Sequence, residues 1–430
     1  MRQKKKNNQK KKYQAPRGMH DILPEEQIWW EKVYRSAKEI AEFYGFSKIE
    51  TPVLEDAEIF TRGLGQSSDV VHKEMYLVRT KGGDLLTLRP EGTAPIARSY
   101  IENGMINWPH PVKLYYFLPM FRHDKPQAGR YRQFYQFGLE IIGDENASSD
   151  AEIIEISYLF LKELGLKNVR VELNSIGCPT CRGPYKTLIK NYYRLRVNKL
   201  CPDCKRRLKE NPLRLLDCKN ENCQSLRMNL PPIVDKLCDE CRRHFESLLE
   251  YLDYLDIPYN LNQNLVRGFD YYTKTVFELW QEGDDGSSAL GGGGRYDGLI
   301  QLLGGPKKPA AGVALGIERI IDLMKMKSSR PIQAKEKVYL VQLGELAKRK
   351  SFEILETFRK NNILVASSLG RDSLRAQLKD ADRLMVKYTL ILGQKEVLDG
   401  TIILRDMQSG LQETIPLSKI IEEIKKRFKK

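Results

Sequence analysis

The residues best suited to chemistry lie in segment 113–143, where two apolar flanks enclose a cationic loop. Aromatic and β-branched side chains dominate the flanks, which is typical of half-buried strands. Pro126 and Gly129 make the loop His123–Gln133 a turn region. The positive charges at and beside this loop are Arg122, Lys125, Arg130 and Arg132. The segment therefore predicts two strands joined by an arginine-rich turn.

Side chains alternate between the two faces of the second predicted strand. Gln136, Gly138 and Glu140 then share one face, and the other face is apolar, with Tyr135, Phe137, Leu139 and Ile141. A glutamine and a carboxylate beside an arginine loop predict a pocket for a polar cationic molecule next to an anion. A solvated amphipathic hairpin with a basic tip explains the same pattern, so both interpretations stay open at this point.

The whole chain of 430 residues is long enough for two to three domains. Its formal net charge of +15 favours an acidic partner, most often nucleic acid. No apolar run is long enough to span a bilayer, and the N-terminus lacks the apolar core of a secretory signal. We therefore expect a cytoplasmic protein with reduced thiols. Residues 1–13 form a basic tail, expected to be disordered, that either contacts polyanions or only adds solubility.

Further candidate site residues stand where predicted elements meet. Glu91 and Thr93 follow directly after the predicted strand Leu85–Arg89, a common position for site residues. Gly316 and Arg319 stand where a strand of small residues enters a helix. A helix N-terminus offers free amides to phosphate, and an arginine there adds a fixed cation. Each of these residues is also compatible with an ordinary surface position.

Residues 265–280 alternate like a strand and are rich in Thr, Val, Tyr and Phe. Arg267 and Tyr272 would lie on opposite faces of a continuous strand. They can share one pocket only if Arg267 belongs to the entering loop, which Gly268 permits. Residues 291–298 are dense in glycine and predict a turn. Such a turn either lets backbone approach a ligand or serves as a flexible hairpin connection.

The eight cysteines all lie in one segment of the chain. Four thiolates suit a closed tetrahedral zinc site, and eight allow two such sites. The first two Cys-x-x-Cys pairs are spaced as in zinc ribbons, which leaves the last two pairs as a looser second set. Sequence does not fix this pairing, and buried thiols without metal are the alternative. The candidate ligands are Cys178, Cys181, Cys201, Cys204, Cys218, Cys223, Cys238 and Cys241.

Strands alternate with helices in residues 337–430, which predicts a compact α/β domain. Its lysines and arginines suit RNA, although a solvated surface explains them equally well. We expect a catalytic domain over residues 14–328, with a cysteine-rich helical insertion at about 178–258. A polar linker over residues 329–336 precedes the C-terminal domain.

These stretches together resemble the histidyl-tRNA synthetases, a family of class II aminoacyl-tRNA synthetases, from about Tyr13 to the C-terminus. The helix and strand ending at Pro52 are similar to the first class motif, which builds the dimer interface in the family. Phe121–Phe134 resembles the second motif, and Gly316–Arg319 the third, with Ala314 where the general pattern has glycine.

Two further stretches resemble signatures that are specific to histidine enzymes. They are Leu265–Tyr272, with Phe269 where leucine is usual, and Gly292–Leu299. The resemblance implies an α+β fold: a class II antiparallel sheet flanked by helices, the cysteine-rich helical insertion, and a C-terminal α/β anticodon-binding domain. The cysteines vary across the family, so the resemblance does not settle the zinc question.

The resemblance also implies the reaction. ATP, with Mg2+, activates L-histidine to histidyl-adenylate, and histidine then passes to the 3′ end of tRNA(His), releasing AMP and diphosphate. A cytoplasmic homodimer that serves translation is expected.

The resemblance implies a role for each matched residue. Catalytic roles fall to Arg122, Arg267 and Arg319. Histidine contacts fall to Glu91, Thr93, Gln136, Glu140, Arg267, Tyr271 and Tyr272, with Glu140 and Tyr272 on the imidazole nitrogens. ATP contacts fall to Arg122, Arg130, Gly316 and Arg319. Contacts to tRNA fall to Gln127 and Arg130.

Two other functions deserve comparison. A non-catalytic relative, similar to the regulatory subunit of ATP phosphoribosyltransferase, usually lacks the C-terminal domain and parts of the histidine signatures, and this chain has both. A zinc-and-RNA-binding module without enzymatic activity would leave Glu91, Arg122 and Glu140 unexplained. The synthetase is therefore the preferred interpretation.

Overall fold

The structure is a computed structural model that describes residues 13–65, 68, 70–125, 129–281, 289–327 and 337–428. It divides into two compact units, residues 1–330 and 331–430. The predicted linker 329–336 and most of the predicted tail lie outside the described residues. Within the described ranges, no helix combines the length and the apolar character needed to cross a membrane.

The first unit combines a large sheet with a small one. Its strands are β1 (Ser47–Lys48), β2 (Leu54–Asp56), β3 (Tyr76–Arg79), β4 (Leu85–Leu88), β5 (Val112–Phe121), β6 (Gln133–Ile142), β7 (Val169–Ser175), β8 (Tyr259–Leu261), β9 (Thr273–Gln281), β10 (Gly291–Arg295) and β11 (Ala310–Gly316). Its helices are α1 (Gln27–Phe43), α2 (Ala57–Leu64), α3 (Thr93–Glu102), α4 (Ala147–Glu163), α5 (Pro179–Arg194), α6 (Pro202–Glu210), α7 (Glu221–Arg227), α8 (Asp239–Tyr254), α9 (Leu299–Leu302) and α10 (Ile317–Lys327).

The large sheet has the strand order β1-β5-β6-β11-β10-β9-β7-β8. Neighbouring strands are antiparallel except for β1 with β5 and β7 with β8, so the two edges are parallel pairs. The small sheet has the order β2-β4-β3. A mostly antiparallel sheet with helices packed on it confirms the predicted α+β class.

The hairpin β5–β6 is at the centre of this architecture, and its two faces differ as the alternation predicts. Phe137, Leu139 and Ile141 are buried in one apolar core together with side chains of α1, α4 and α10. Gln136, Gly138 and Glu140 face the other side. Gly138 is required there, because a Cβ at this position would lie 2.1 Å from the ring of Tyr116.

Residues 291–295 of the glycine-rich stretch form a central strand, so the predicted turn is wrong there and holds only for residues 297 and 298. β10 pairs with both β9 and β11 inside the large sheet. A Cβ on Gly293 would lie 2.0 Å from the carbonyl oxygen of Gly312, and one on Gly291 would lie 2.6 Å from that of Ala314. The glycines therefore allow strands to approach more closely than side chains would permit.

The strand predicted from Leu265 begins only at Thr273, and residues 265–272 form a loop. Lys274 has a left-handed φ of 50°, and the pairing of β9 with β10 shifts register nearby. Because both residues precede the first residue of the strand, the alternation of side chains along a strand does not force Arg267 and Tyr272 onto opposite faces. This is the condition under which both can face one pocket.

The second unit contains β12 (Lys337–Gln342), α11 (Glu345–Lys360), β13 (Leu364–Ser367), α12 (Leu374–Arg383), β14 (Tyr388–Leu392), α13 (Gln394–Asp399), β15 (Thr401–Asp406), β16 (Gln412–Pro416) and α14 (Ile420–Phe428). Its sheet has the order β13-β12-β14-β15-β16, with β12 parallel to both of its neighbours. Helices and strands enclose a separate apolar core. The predicted α/β domain is confirmed.

Candidate active site

A cavity of about 850 Å³ opens on the polar side of the large sheet, within the first unit. Its walls come from the β5–β6 hairpin, loop 265–272, strands β9 to β11 and the first turn of α10. The predicted site residues that line it are Glu91, Thr93, Arg122, Arg130, Gln136, Arg267, Tyr271, Tyr272, Gly316 and Arg319. Gln127 lies outside the described residues. Segments far apart in sequence therefore converge on one pocket.

Arg122 is held by both a hydrogen bond and aromatic rings. Its Nε donates to the carbonyl oxygen of Pro90 at 2.8 Å. Its guanidinium carbon lies 5.2 Å from the ring centroid of Phe134 and 5.7 Å from that of Phe269. Rings on two sides restrict the plane of the guanidinium, so its donors are oriented before any ligand arrives.

The other two guanidinium groups enter the cavity from different elements. Arg319 donates from Nε to the carbonyl oxygen of Gly129 at 2.9 Å and from Nη1 to that of Ala289 at 2.6 Å. Arg267 forms an ion pair with Glu278 and lies over the ring of Tyr272, 5.9 Å from its centroid. Three guanidinium groups in one cavity provide donors for an anion, although acidic side chains also line this cavity.

Two of the buried polar atoms in the cavity walls that lack a hydrogen-bond partner among the described residues are relevant to an amino-acid ligand. They are Oε1 of Gln136, an acceptor, and Nε of Arg267, a donor. A buried polar atom without a partner costs free energy, typically about 1–3 kcal/mol. A ligand carrying both an ammonium and a carboxylate group would satisfy the two atoms together.

Glu91 caps the start of α3 from inside the cavity wall. Its two carboxylate oxygens accept from the backbone amides of Thr93 and Ala94, each at 2.8 Å. Burial raises the pKa of Glu91, although these hydrogen bonds act in the opposite direction. The carboxylate is therefore fixed in position at a helix N-terminus, where negative charge is favoured.

Glu140 lies one layer behind the cavity wall and does not line it. Its carboxylate accepts from Oγ1 of Thr93 at 2.7 Å and from the hydroxyl of Tyr296. Burial raises its pKa to about 8. A Cβ on Gly312 of the neighbouring strand would lie 1.8 Å from its Oε2, so glycine is needed there. Thr93 and Tyr296 are its partners here, and the contact of Glu140 with the imidazole stays a prediction.

Sequence reasoning missed Tyr296 and Glu278 as parts of the site. Glu278 sits between Phe277 and Leu279, both in the apolar core, so alternation alone places its carboxylate on the cavity side. Tyr296 lies within the glycine-rich signature, but only the fold brings its hydroxyl to Glu140. Long-range contacts of this kind have no local signal.

The cysteines form two groups of four that each could hold a metal ion. The groups are nested along the chain: Cys178, Cys181, Cys238 and Cys241 form one, and Cys201, Cys204, Cys218 and Cys223 form the other. The structure thus resolves a pairing that the sequence left open, and the groups do not join neighbouring doublets in the order in which their spacing arranges them. The structure folds the segment back so that its first and last pairs meet.

The sheet, the arginine-bearing hairpin and the arginine at the start of α10 define a class II aminoacyl-tRNA synthetase. The family model of histidyl-tRNA synthetase matches residues 18–179 and 202–320. A model of the anticodon binding domain matches residues 337–427. The chain belongs to the histidyl-tRNA synthetase family.

Curated relatives and solved structures agree with this family. The chain is 48% identical over 417 residues to a histidine--tRNA ligase of Dehalococcoides mccartyi, covering 97% of this chain and 100% of the relative. It is 44% identical to a histidine--tRNA ligase of Desulfitobacterium hafniense, covering 97% and 98%. The apo histidyl-tRNA synthetase of S. aureus superposes with a TM-score of 0.80 at 36% identity, covering 96% and 100%.

The chain is therefore an ATP-dependent histidine--tRNA ligase that charges tRNA with histidine in translation. It activates L-histidine as an adenylate and transfers it to the 3′ end of tRNA(His), releasing AMP and diphosphate. The cavity supplies the chemistry this reaction needs, with cations for phosphate and polar groups for an amino acid. The function expected from the sequence is confirmed.

Proposed function

We propose that Arg122, Arg267 and Arg319 act on one α-phosphate when the histidine carboxylate attacks ATP. Negative charge grows on that phosphate, and oriented cations stabilise such charge most effectively. The observation that carries the proposal is that the three guanidinium groups come from separate elements and line one cavity. The stacking of Arg122 and the hydrogen bonds of Arg319 orient them in advance.

The amino-acid end of the cavity would hold the histidine backbone. Oε1 of Gln136 and the carboxylate of Glu91, which Thr93 helps to fix, are acceptors for the α-ammonium group. Nε of Arg267 is a donor for the carboxylate. These assignments rest on the hydrogen-bonding character of the two atoms. An acceptor such as Oε1 of Gln136 suits the ammonium group of an amino acid, and a donor such as Nε of Arg267 suits its carboxylate.

The imidazole would lie against Tyr271 and Tyr272, whose ring centroids are 4.6 Å apart. Glu140 would act through Thr93 and Tyr296, whose hydroxyl groups it orients. A pocket with buried polar partners rejects analogues that cannot pair with them, by large factors. Specificity for histidine would follow from such hydroxyl groups at fixed positions.

The nucleotide would lie near Arg130 and Gly316, on the Arg319 side of the cavity. Mg2+ would accompany the outer phosphates of ATP, bound mainly by phosphate and water oxygens. The cavity also contains the carboxylates of Glu74, Asp124 and Glu278, which are hard ligands of the kind this ion prefers.

Pyrophosphate exchange into ATP tests these roles, with histidine as the amino acid. We expect Arg267→Ala to lower exchange by about 10²–10³-fold, the usual loss for one oriented donor to a developing charge. The control is Arg243→Ala on α8, which removes an exposed arginine. Near-normal exchange in Arg267→Ala, with an unchanged melting temperature, would contradict the assignment.

The tRNA would contact both units. Gln127 and Arg130 of the hairpin loop would bind the acceptor end, and the C-terminal unit would bind the anticodon end through unstacked bases and phosphates. Because tRNA is charged where translation takes place, we place the enzyme in the cytoplasm.

A homodimer is supported by exposed apolar side chains in and beside the small sheet. Four side chains of this sheet and one residue just before it are 40–58% exposed. They are Leu54, Leu77, Val78 and Leu85, with Val53 before β2. The strand register places Leu77 and Leu85 on one face of the sheet and Leu54 and Val78 on the other. Exposed apolar side chains that cluster in this way around one sheet are compatible with an interaction surface. A second copy of the chain would cover this surface beside the element that resembles the first class motif.

A further inference from the structure

The sulfur atoms of the two cysteine groups are spaced as in a mononuclear tetrahedral site. The Sγ–Sγ distances are 3.7 Å for Cys178 and Cys181, 3.9 Å for Cys178 and Cys238, and 3.8 Å for Cys201 and Cys218. A tetrahedral ion with bonds of about 2.3 Å to sulfur requires about 3.8 Å between sulfurs. These distances are far too long for disulfides, in which the sulfurs are about 2.05 Å apart.

We propose that the chain binds two structural zinc ions, one in each group, and that they hold the insertion against loop 265–272. Four thiolates with no open position are the ligand set of a structural zinc site. All ligand atoms within each group lie within 4.8 Å of one another. This spacing encloses one ion, whereas an iron–sulfur cluster holds several metal atoms and bridging sulfides between its thiolates.

Backbone amides surround the sulfurs as an outer shell. The amide of Cys238 donates to Sγ of Cys181 at 3.1 Å, and that of Cys201 donates to Sγ of Cys223 at 3.3 Å. The amide of Cys204 donates to Sγ of Cys201 at 3.4 Å. Such donors stabilise thiolates and orient metal ligands. Both groups therefore have the surroundings of a loaded site.

Because the two cysteine groups are nested along the chain, each ion would join a different pair of segments. The first group joins the start of α5 to the start of α8, so it closes the base of the insertion. The second group joins the start of α6 to the segment leading into α7, so it closes the far end. Small modules with a limited core commonly depend on such metal links.

The insertion touches the substrate-binding loop at three points. Arg182, next to Cys181, donates to the carbonyl oxygen of Tyr272 at 2.8 Å. Arg214 donates to the carbonyl oxygen of Arg267 at 3.1 Å. In the third contact, the side-chain Nδ2 of Asn211 donates to Oδ1 of Asp270 at 2.7 Å.

These contacts hold the ends and the middle of the loop that carries Arg267 and Tyr272. Cys201 and Cys218 of the second group also line the catalytic cavity. The family model leaves residues 180–201 unmatched, and two of the ligands fall in that stretch. The other six ligands lie within the matched ranges, so the family model leaves only part of each cysteine group undescribed.

Metal analysis of the purified full-length enzyme tests the two sites directly. We expect about two zinc ions per chain, and about one in Cys181→Ser and in Cys204→Ser. The cobalt-substituted enzyme should show the visible bands and the thiolate charge-transfer band of a tetrahedral tetrathiolate ion. Less than half a zinc ion per chain after growth with ample zinc, or iron in place of zinc, would overturn the proposal. The wild-type measurement decides even if a variant fails to fold.

The link to the loop rests on the proposed function and is tested separately with Arg182→Ala. This variant keeps all eight cysteines, so we expect about two zinc ions with a KM for histidine raised about 3–10-fold, the effect of one lost hydrogen bond. The control is Arg196→Ala, whose side chain donates to the carbonyl oxygen of Tyr192, four residues earlier in the insertion. An unchanged KM in Arg182→Ala would refute the link and leave the metal sites standing.

Discussion

Glu140→Gln probes how the buried carboxyl behind the cavity is held. The fold keeps this group away from water, which raises its pKa from 4.5 to about 8. Between these two pH values the unfolded chain has released the proton and the folded chain retains it. The folded state then binds more protons, so this group makes the protein less stable as the pH rises through this window.

The expected loss of stability follows from the interval between the two pKa values of Glu140, 4.5 and about 8. One pH unit corresponds to about 1.4 kcal/mol, so a span of about 3.5 pH units corresponds to at most about 5 kcal/mol. That is a large part of an ordinary unfolding free energy of about 5–15 kcal/mol. Glutamine resembles the protonated acid and cannot ionise. The free energy of unfolding of Glu140→Gln, measured relative to that of wild type, should therefore be roughly 3–5 kcal/mol higher at pH 8.5 than at pH 5.

Urea unfolding of both proteins across this pH range measures the difference. Titrating groups remote from Glu140 act equally in the two proteins and cancel, whereas Glu91 is coupled to Glu140 through their charges. Glu246→Gln, at an exposed position, reports what the loss of one surface carboxylate does to the curve. A difference between wild type and Glu140→Gln that stays flat from pH 5 to pH 8.5 would refute the reasoning, because it would mean that burial does not keep the acid protonated.

Three further predictions concern packing, the division of labour and assembly. Gly293→Ala should lower the melting temperature strongly, at a cost of about 3 kcal/mol or more, because the methyl group would meet the carbonyl oxygen of Gly312. Gly298→Ala, with no atom within 4 Å of the added carbon, is the control and should be nearly neutral. Removal of residues 337–430 should reduce tRNA charging far more than pyrophosphate exchange, and equal losses would contradict separate roles for the two units. Leu77→Glu, at a 58% exposed position, should give monomers in light scattering if the small sheet is the dimer surface, and an unchanged mass would exclude that surface.

The parts of the site that follow local rules could be predicted from the sequence. Alternation along β6 places Gln136 and Glu140 on one face, and the structure has them there. The breaks after the strand ending near Arg89 and before α10 predict where Glu91 and Arg319 stand. These features depend only on side-chain periodicity and on residues that end elements, both of which are visible in a short window.

The remaining features depend on contacts between distant segments. Glycine usually weakens strands, so only the close approach of Gly293 to Gly312 explains why a glycine run forms β10. The nested cysteine groups require Cys178 and Cys241 to meet, which no spacing rule encodes. The position of Glu140 behind Thr93 likewise depends on how two elements pack.

The central claim is that three guanidinium groups serve one phosphorus atom. The most direct test is a crystal structure of the enzyme with a non-hydrolysable analogue of histidyl-adenylate. We expect donors of Arg122, Arg267 and Arg319 within about 3.2 Å of the oxygens on the α-phosphate position or of the adjoining carboxyl group. An analogue bound with these donors out of hydrogen-bond reach of its α-phosphate position and adjoining carboxyl group, or bound outside the cavity, would contradict the account.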